Sequence, residues 1–302
     1  MKYQYDKTIR FTNVKRQILA RATQILDEYA EQGFRLTLRQ LFYQFVARGW
    51  LKNEFANYKM LGVLITRGRN AGVIDWDSIY DFTREVVRVE SWECAESSLR
   101  SALDTFHVDH WEGQKELPEV WIEKDALHGV FSPVCSELDV PLFSTRGFPS
   151  VSSVWEAAQR FLYRFQKFDQ LTTVLHFGDH DPSGVDMTRD IAARLAMYGA
   201  KVEVRRVALT KKQAKQHKCP PMMTKPADAR TKKYDEKHGG ECWELDGLPP
   251  SVLVDLVKQE VPKFRADKLY RRRLKFQDQQ RKILAAAVER FDDVVAALDL
   301  RG

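Results

Sequence analysis

Apolar residues recur at helical spacing in the first 70 residues of the chain and predict three helices, over residues 12–32, 38–48 and 55–69. Gly33 and Gly49 follow the first two helices at positions where helices commonly end, and Thr37 is placed to cap the second. Residues 73–76 indicate a short extended segment. Three short helices followed by a strand are typical of a helix-turn-helix or winged-helix unit.

From about residue 118 the pattern changes, and short alternating runs predict four strands, over residues 119–122, 140–144, 172–177 and 201–207. Helical patterns lie between them, over residues 126–138, 151–168 and 185–198. Strands that alternate with helices of this length predict a doubly wound parallel sheet. Two more helices are predicted over residues 248–261 and 267–299, whereas residues 209–240, rich in Lys, Pro and Gly, predict an irregular or mobile loop.

These patterns predict an α/β protein with an N-terminal winged-helix-like domain over residues 1–110 and a parallel-sheet domain with C-terminal helices over residues 111–302. The 44% of hydrophobic residues excludes a chain that is disordered throughout. Apolar runs fall short of the roughly 18 residues of a membrane helix, and the N-terminus lacks an apolar leader. The four dispersed cysteines include no CxxC pair. We therefore expect a soluble cytoplasmic protein with reduced thiols and no metal held by sulfur.

The charge of the chain is segregated along its length. Residues 201–240 hold 12 Lys or Arg against 4 Asp or Glu, and residues 258–282 hold 10 against 3. Such basic segments favour a polyanionic partner, with nucleic acid as the leading candidate, although a solvated loop and helix face would have the same composition. The candidate contacts to DNA are Lys211, Lys212, Lys232, Lys233, Arg271, Arg272 and Arg273.

Carboxylates follow two of the predicted strands. Glu123 ends the first strand, and Asp179 and Asp181 follow the third. Carboxyl ends of parallel strands share one edge of a sheet, and acids gathered there favour a hard cation, Mg²⁺ or Mn²⁺. An Asp-x-Asp pair also occurs in haloacid-dehalogenase-type phosphatases, but their nucleophilic Asp follows the first strand of the sheet. Glu123 could equally be an ordinary strand-end residue.

Tyr43 is a candidate nucleophile on the second predicted helix. It lies about 130° from the centre of the apolar stripe of that helix, one turn after Arg39, so we predict that it is outside the core. A tyrosine beside a guanidinium suits phosphoryl transfer, provided that a cation, base or metal activates its hydroxyl. An ordinary exposed tyrosine in a DNA-binding helix is the alternative.

Four segments, in this order, resemble the A subunit of topoisomerase VI and its meiotic double-strand-break relatives: TLRQLFYQF (37–45), VWIEKDAL (120–127), STRGFPS (144–150) and HFGDHDPSG (176–184). A later segment, ELDGLPP (244–250), is similar to small standalone bacterial and mobile-element members. Proteins of this family join a winged-helix domain that carries the catalytic tyrosine to a Toprim domain that binds Mg²⁺. The resemblance therefore implies that the parallel-sheet domain is of the Toprim type.

The resemblance also implies a role for each candidate residue. Tyr43 matches the attacking tyrosine of the family motif, Phe42 stands where another tyrosine often lies, and Arg39 matches the arginine of the motif. The Toprim acids that bind Mg²⁺ or Mn²⁺ correspond to Glu123, Asp179 and Asp181. Positive potential would come from Arg39 and Lys124. Apart from the resemblance, Glu244 and Asp246 could add ligands or contacts near the metal, or could equally be exposed acids at a strand end.

The implied activity is that of a type IIB topoisomerase A subunit, an isomerase that cleaves both DNA strands through a 5′-phosphotyrosyl intermediate. The implied partners are double-stranded DNA, a second copy in a homodimer and an ATPase B-type subunit in trans, and the implied location is the nucleoid. The chain is shorter than a full A subunit and contains no GxxxxGK(S/T) phosphate loop. Two alternatives stay open: a Toprim nuclease of plasmid or phage defence that uses activated water, and a non-catalytic DNA-binding protein.

Overall fold

The computed structural model describes residue 2 and residues 4–79, 91–223 and 230–297, apart from the side chains of Lys233 and Val294. The three N-terminal helices are confirmed, with ends within two residues of those predicted: α1 (Asn13–Ala30), α2 (Leu38–Ala47) and α3 (Phe55–Asn70). Their apolar faces share one core, which includes Leu19, Ile25, Leu41, Phe45 and Leu61. This packing determines which face of α2 points away from α1 and α3.

The boundaries of the N-terminal part follow from local hydrogen bonds. Thr37 caps α2 by accepting the N–H of Gln40 at 3.2 Å, while the Gln40 side chain accepts the N–H of Thr37 at 2.8 Å. The extended segment predicted over residues 73–76 is wrong: the chain bends there and enters a 3-10 helix, Trp76–Ser78. The Asp75 side chain starts that turn by accepting the N–H of Asp77 at 2.8 Å, which the apolar pattern did not reveal.

Residues 116–208 contain the predicted parallel sheet. Its four strands are β1 (Glu116–Ile122), β2 (Leu142–Ser144), β3 (Leu171–Phe177) and β4 (Val202–Ala208). They are all parallel and lie in the order β2-β1-β3-β4. The connecting helices are α4 (Ala95–Thr105), which precedes the sheet, then α5 (His128–Glu137), α6 (Val151–Phe168) and α7 (Pro182–Met197). The protein is therefore an α/β protein with a parallel sheet.

Helices cover both faces of the sheet because its strands are buried on both sides. Val120 and Ile122 of β1 belong to one core cluster, whereas Trp121 between them belongs to the other. Residues of α6 and α7 pack around Trp121, among them Phe161 and Ile191. The carboxyl ends of β1 and β3 lie side by side, with Ile122 paired to Phe177.

The C-terminal helices complete the other face. They are α8 (Lys211–Gln216), α9 (Thr231–His238), α10 (Pro250–Glu260), α11 (Asp267–Glu289) and α12 (Phe291–Ala297). The helix predicted over residues 267–299 is divided at Arg290, and its residues 298–299 lie outside the described part. The pattern did not predict α4, which packs against α11 although it lies within the predicted first domain. Arg281 of α11 donates to the carbonyl of Phe106 at 3.2 Å.

The irregular loop predicted over residues 209–240 is wrong where the structure describes it, that is, outside residues 224–229. Helices α8 and α9 lie there, together with β5 (Met222–Met223), which pairs with β6 (Glu241–Cys242). The buried hydroxyl of Tyr234 in α9 donates to the carbonyl of His180 at 2.9 Å. The lysine-rich sequence shows no apolar pattern for these elements, because only a few of their side chains are buried against the sheet domain.

Two expectations from composition concern thiols and membranes. All four cysteines are free, with Cys94 exposed and Cys135, Cys219 and Cys242 buried. Within the described ranges, every helix is too short or too polar to cross a lipid bilayer.

Acid is expected to destabilise the fold through His176 in β3. Burial lowers the pKa of His176 to about 3, and its Nδ1 lies 2.8 Å from the hydroxyl of Thr188. The unfolded imidazole titrates near pH 6.5, so its stabilising contribution is complete above that pH. It falls by about 1.4 kcal/mol per unit as the pH decreases towards 3. In the variant His176→Gln, the free energy of unfolding should change less with pH, by the equivalent of about one bound proton. The measurement is urea unfolding of both proteins between pH 7 and pH 5. Equal slopes in the two proteins would contradict the assignment.

Candidate active site

Helix α2 meets the C-terminal half of the chain at a cluster of acidic side chains. Arg39 of α2 donates from Nε to Glu244 Oε2 at 2.9 Å, and its terminal nitrogen contacts the same oxygen. Arg39 Nε also lies 3.2 Å from Asp246 Oδ2. Glu244 and Asp246 belong to the segment around a 3-10 helix, Leu245–Gly247. The contact joins two parts of the chain that are 205 residues apart.

The ammonium group of Lys124 lies among three of the acids. Its Nζ is 3.0 Å from Asp179 Oδ1, 2.9 Å from Glu244 Oε2 and 3.6 Å from Asp246 Oδ2. Lys124 lies two residues after β1, so the end of that strand places it in the cluster. Burial alone would lower the pKa of Lys124, but the three carboxylates outweigh burial and raise it. Lys124 is therefore charged and pairs with acids from two separate segments.

The three predicted metal ligands lie at the ends of β1 and β3, each with a backbone partner. Glu123 Oε2 accepts the N–H of Asp179 at 2.8 Å. Asp179 Oδ1 accepts the N–H of Leu245 at 2.7 Å, and Asp181 Oδ1 caps α7 by accepting the N–H of Gly184 at 2.6 Å. In this conformation their ligand oxygens are not all within 4.8 Å of one another. The sheet edge thus brings the acids into one region without closing them around a single point.

The charges of these acids are set by their surroundings. Burial raises the pKa of Asp179 to about 7, with Lys124 opposing the shift and Glu123 adding to it. Burial also raises the pKa of Glu123, helped by the nearby charge of Asp181. Burial would raise the pKa of Glu244 as well, but Lys124 and Arg39 lower it to about 2. The cations beside Glu123 and Asp179 therefore do not offset the burial of these two acids, whereas Arg39 and Lys124 compensate Glu244.

Arg206 in β4 is a site residue that the sequence did not indicate. Its guanidinium donates to the carbonyl of Gly178 at 2.9 Å, to that of Asp179, and to that of Gly184 at 2.8 Å. It thereby fixes the loop that carries Asp179 and Asp181. The sequence does contain a signal for this role, which is a basic residue within a partly apolar strand. An arginine in a buried strand requires polar partners.

The donor set of the cluster fits a hard divalent cation. Its carboxylates outnumber its cations, five to three: Glu123, Asp179, Asp181, Glu244 and Asp246 against Arg39, Lys124 and Arg206. Asp246 is 2% exposed, and neither of its carboxylate oxygens accepts a hydrogen bond despite the nearby ion-pair partners. A buried carboxylate without hydrogen bonds is costly unless a cation compensates it. All the anionic donors are oxygen atoms, which Mg²⁺ and Mn²⁺ prefer.

The prediction that Tyr43 lies outside the core is wrong, since this residue is only 4% exposed. It does not belong to the apolar cluster of the three N-terminal helices, unlike Phe42. The C-terminal half of the chain covers the face of α2 on which it lies, through the contact between Arg39 and Glu244. Burial, together with the charge of Glu244, raises the pKa of Tyr43. Tyr43 thus adjoins the acid cluster as a neutral phenol.

The basic side chains predicted to contact DNA have different surroundings. Lys211 donates to the carbonyl of His238 at 2.6 Å, and Arg273 pairs with Glu112 at 2.6 Å. Four others are exposed: Lys212, Lys232, Arg271 and Arg272. The side chain of Lys233 lies outside the described part. A surface groove along α11 is lined by Lys268, Arg271, Arg272, Lys275 and Phe276.

Gly184 allows the start of α7 to pack against the loop that carries the acids. A Cβ at this position would lie 2.2 Å from the carbonyl oxygen of Asp179. We expect Gly184→Ala to reduce the free energy of unfolding by about 3 kcal/mol, measured in urea, because backbone atoms must move. The control is Gly62→Ala in α3, whose Cβ would meet only the end of the Leu38 side chain, and which should be neutral or slightly stabilising. Equal stabilities of the two variants would contradict this packing argument.

Comparisons with known proteins were made for the whole chain. No protein-family model matches it, and no curated protein matches it significantly.

Proposed function

We propose that this protein is a Mg²⁺-dependent or Mn²⁺-dependent enzyme that cleaves double-stranded DNA by tyrosine transesterification, like the A subunit of topoisomerase VI. The observation that carries the proposal is the placement of Arg39 and Tyr43, one turn apart on α2, against the acids of the sheet domain. A nucleophile, two cationic side chains and an acidic cluster of oxygen donors are the components that phosphoryl transfer requires. In this proposal the three-helix unit is a winged-helix domain and the sheet domain is a Toprim domain.

The proposed roles follow the chemistry of each side chain. Glu123, Asp179 and Asp181 would hold the cation, with Asp246 as a further oxygen donor, and the bound ion would stabilise negative charge on the scissile phosphate. Tyr43 Oη bonds to phosphorus while the bond from phosphorus to the 3′ oxygen breaks. The phenol proton passes to solvent, and the 3′ oxygen takes a proton from solvent. The product is a 5′-phosphotyrosyl link, and the reverse steps reseal the strand.

Arg39 and Lys124 have two tasks in this scheme. In the described conformation both are paired with Glu244, and the acids neutralise their positive charge. We propose that this conformation is a closed state, which opens when DNA enters between α2 and the 3-10 helix Leu245–Gly247. Both cations are then available to the phosphate. In a homodimer the phenol of one subunit would work over the acids of the other, so that the two sites cut the two strands.

The exposed basic surfaces supply the DNA contacts of the proposal. The groove along α11 presents Arg271 and Arg272, and α8 and α9 present Lys212 and Lys232. These side chains would contact phosphates and make binding weaker as salt increases. The same proposal places the protein at the nucleoid, with an ATPase B-type subunit in trans if it acts as a topoisomerase.

A metal-dependent nuclease that activates water is the second candidate. The observation that favours it is the burial of Tyr43, whose raised pKa makes its phenol a poor nucleophile in the closed state. In that case Tyr43 is a packing residue, and the acids alone carry the chemistry.

The two candidates differ in the ends of the DNA that they produce. Supercoiled plasmid is incubated with the protein and Mg²⁺, and the reaction is stopped with detergent. Tyrosine transesterification leaves protein covalently attached to the 5′ ends, whereas a nuclease leaves free 5′ phosphates. The absence of cleavage with both Mg²⁺ and Mn²⁺, together with salt-sensitive binding, would instead indicate a non-catalytic DNA-binding protein.

A further inference from the structure

Two histidines and an aspartate meet in the segments that precede β1 and β2, whereas the acid cluster lies where β1 and β3 end. His107 and His110 follow α4, and Asp139 follows α5. His107 Nε2 lies 2.8 Å from Asp139 Oδ1, and His110 Nδ1 lies 3.3 Å from Asp139 Oδ2. Among the described residues, this group alone has three His, Cys, Asp or Glu ligand atoms all within 4.8 Å of one another.

Gln277 of α11 determines how the ring of His110 is protonated. Its Oε1 accepts the backbone N–H of Val108 at 3.0 Å, so the atom in this position is an oxygen. The same Oε1 lies 3.0 Å from His110 Nε2, which must therefore carry a proton and donate it. In the neutral ring, Nδ1 is then left with a lone pair. Nδ1 lies 3.3 Å from Asp139 Oδ2, outside hydrogen-bond geometry.

The surroundings of His110 leave its Nδ1 available to an ion. His110 is only 6% exposed, and its Nδ1 has no hydrogen-bond partner. Asp139 Oδ2 accepts the backbone N–H of His110 at 2.7 Å, which holds the carboxylate beside the ring. A buried ring nitrogen without a partner is costly, and a bound metal ion would remove that cost. The Nε2–H bond to an amide oxygen is the usual outer support of a metal-bound histidine, since it fixes the ring and its tautomer.

We propose that His107, His110 and Asp139 form a binding site for Zn²⁺ or a related transition-metal ion, separate from the acid cluster. Imidazole nitrogens and one carboxylate are donors that Zn²⁺ accepts and that Mg²⁺ disfavours. The His107 side chain is 47% exposed and can turn to complete the coordination. A cavity of about 560 Å³, lined by His107, Asp139, Ser136 and Arg164, opens at the site and gives water access to a fourth position.

The bound ion would tie together three segments around the sheet. His107 and His110 lie between α4 and β1, Asp139 lies between α5 and β2, and Gln277 supports the site from α11. Metal binding to the folded chain alone stabilises it by mass action. The site is therefore a structural clamp, and it does not depend on whether the acid cluster cleaves DNA.

The test uses the full-length protein without an affinity tag, stripped with a chelator and titrated with Zn²⁺ in a calorimeter. We expect one equivalent to be lost in both His107→Ala and Asp139→Asn, and retained in the control His217→Ala, which removes a histidine far from this cluster in sequence. Zn²⁺ should raise the melting temperature of the unsubstituted protein and of the control, but not that of the two variants. Co²⁺ in place of Zn²⁺ should give the visible absorption of a tetrahedral site.

Several outcomes would overturn the proposal. One is an unsubstituted protein that binds no Zn²⁺. Another is Zn²⁺ binding that is unchanged in both variants, which would place the ion elsewhere. Because DNA cleavage is not a readout, failure here leaves the proposed cleavage activity standing, and failure of cleavage leaves the zinc site standing.

Discussion

Replacing Tyr43 with phenylalanine is expected to reduce the covalent DNA adduct by a factor of about 10⁴ or more, because the only oxygen that can attack phosphorus is removed. The substitution keeps the ring, which packs against Phe42 with the ring centroids 5.8 Å apart, so the fold should be preserved. The adduct is measured with end-labelled supercoiled plasmid, Mg²⁺ and a detergent stop. Circular dichroism before the assay checks that the variant is folded.

The matched control for this prediction is Tyr58→Phe. Tyr58 lies in α3 and also packs against Phe42, with the ring centroids 5.6 Å apart, but it is not part of the acid cluster. This variant should form the adduct as the unsubstituted protein does. If Tyr43→Phe still cuts the plasmid and leaves free 5′ phosphates, water is the nucleophile and the nuclease candidate replaces the first proposal. An adduct that persists in Tyr43→Phe would show that another residue attacks.

The variant Asp246→Asn is expected to lower Mg²⁺-dependent cleavage by about 100-fold or more. Its carboxylate is buried without hydrogen bonds and faces two cations. It therefore contributes to the proposed site through its negative charge and not through hydrogen bonding. An amide of the same shape removes that charge and leaves Arg39 and Lys124 with Glu244 as their nearest acid. The measurements are the cleavage rate and the rise of the melting temperature as Mg²⁺ is added. Both responses should be lost or strongly reduced, whichever nucleophile is used.

Asp255→Asn is the control for this second prediction. Asp255 is an exposed acid on α10, and its substitution should leave both the cleavage rate and the Mg²⁺ response unchanged. A variant Asp246→Asn that cleaves at the normal rate would remove Asp246 from the site. Normal stabilisation by Mg²⁺ combined with lost cleavage would assign it to DNA or lysine positioning instead of metal binding.

The parallel sheet was predictable from the sequence because its signals are local. Runs such as 172–177 are apolar over the length of one strand, and helical spacing fills the intervals between them. All four strands of the parallel sheet begin within three residues of their predicted starts. The acids that follow β1 and β3 were predicted at one sheet edge for the same reason, since parallel order alone places strand ends together.

Features that depend on distant segments were not predictable in this way. The apolar stripe of α2 correctly identifies its own helical core but cannot show that Glu244, about 200 residues later, covers the opposite face and buries Tyr43. The partners of Lys124 are likewise contributed by two other segments. The lysine-rich region hid α8 and α9 because a single buried side chain, Tyr234, carries much of the attachment of α9.

Lys124 acts as an internal counterion for the acid cluster, and this has a consequence for how the proposed metal ion would bind. A tethered ammonium needs no encounter from solution, so the chain can fold, and persist, before any divalent ion is bound. Under the proposed function, an incoming ion would have to displace this resident charge, which would weaken its apparent affinity. Each displacement would also release a lysine beside the site, so that metal loading and capture of an anionic substrate would become a single exchange.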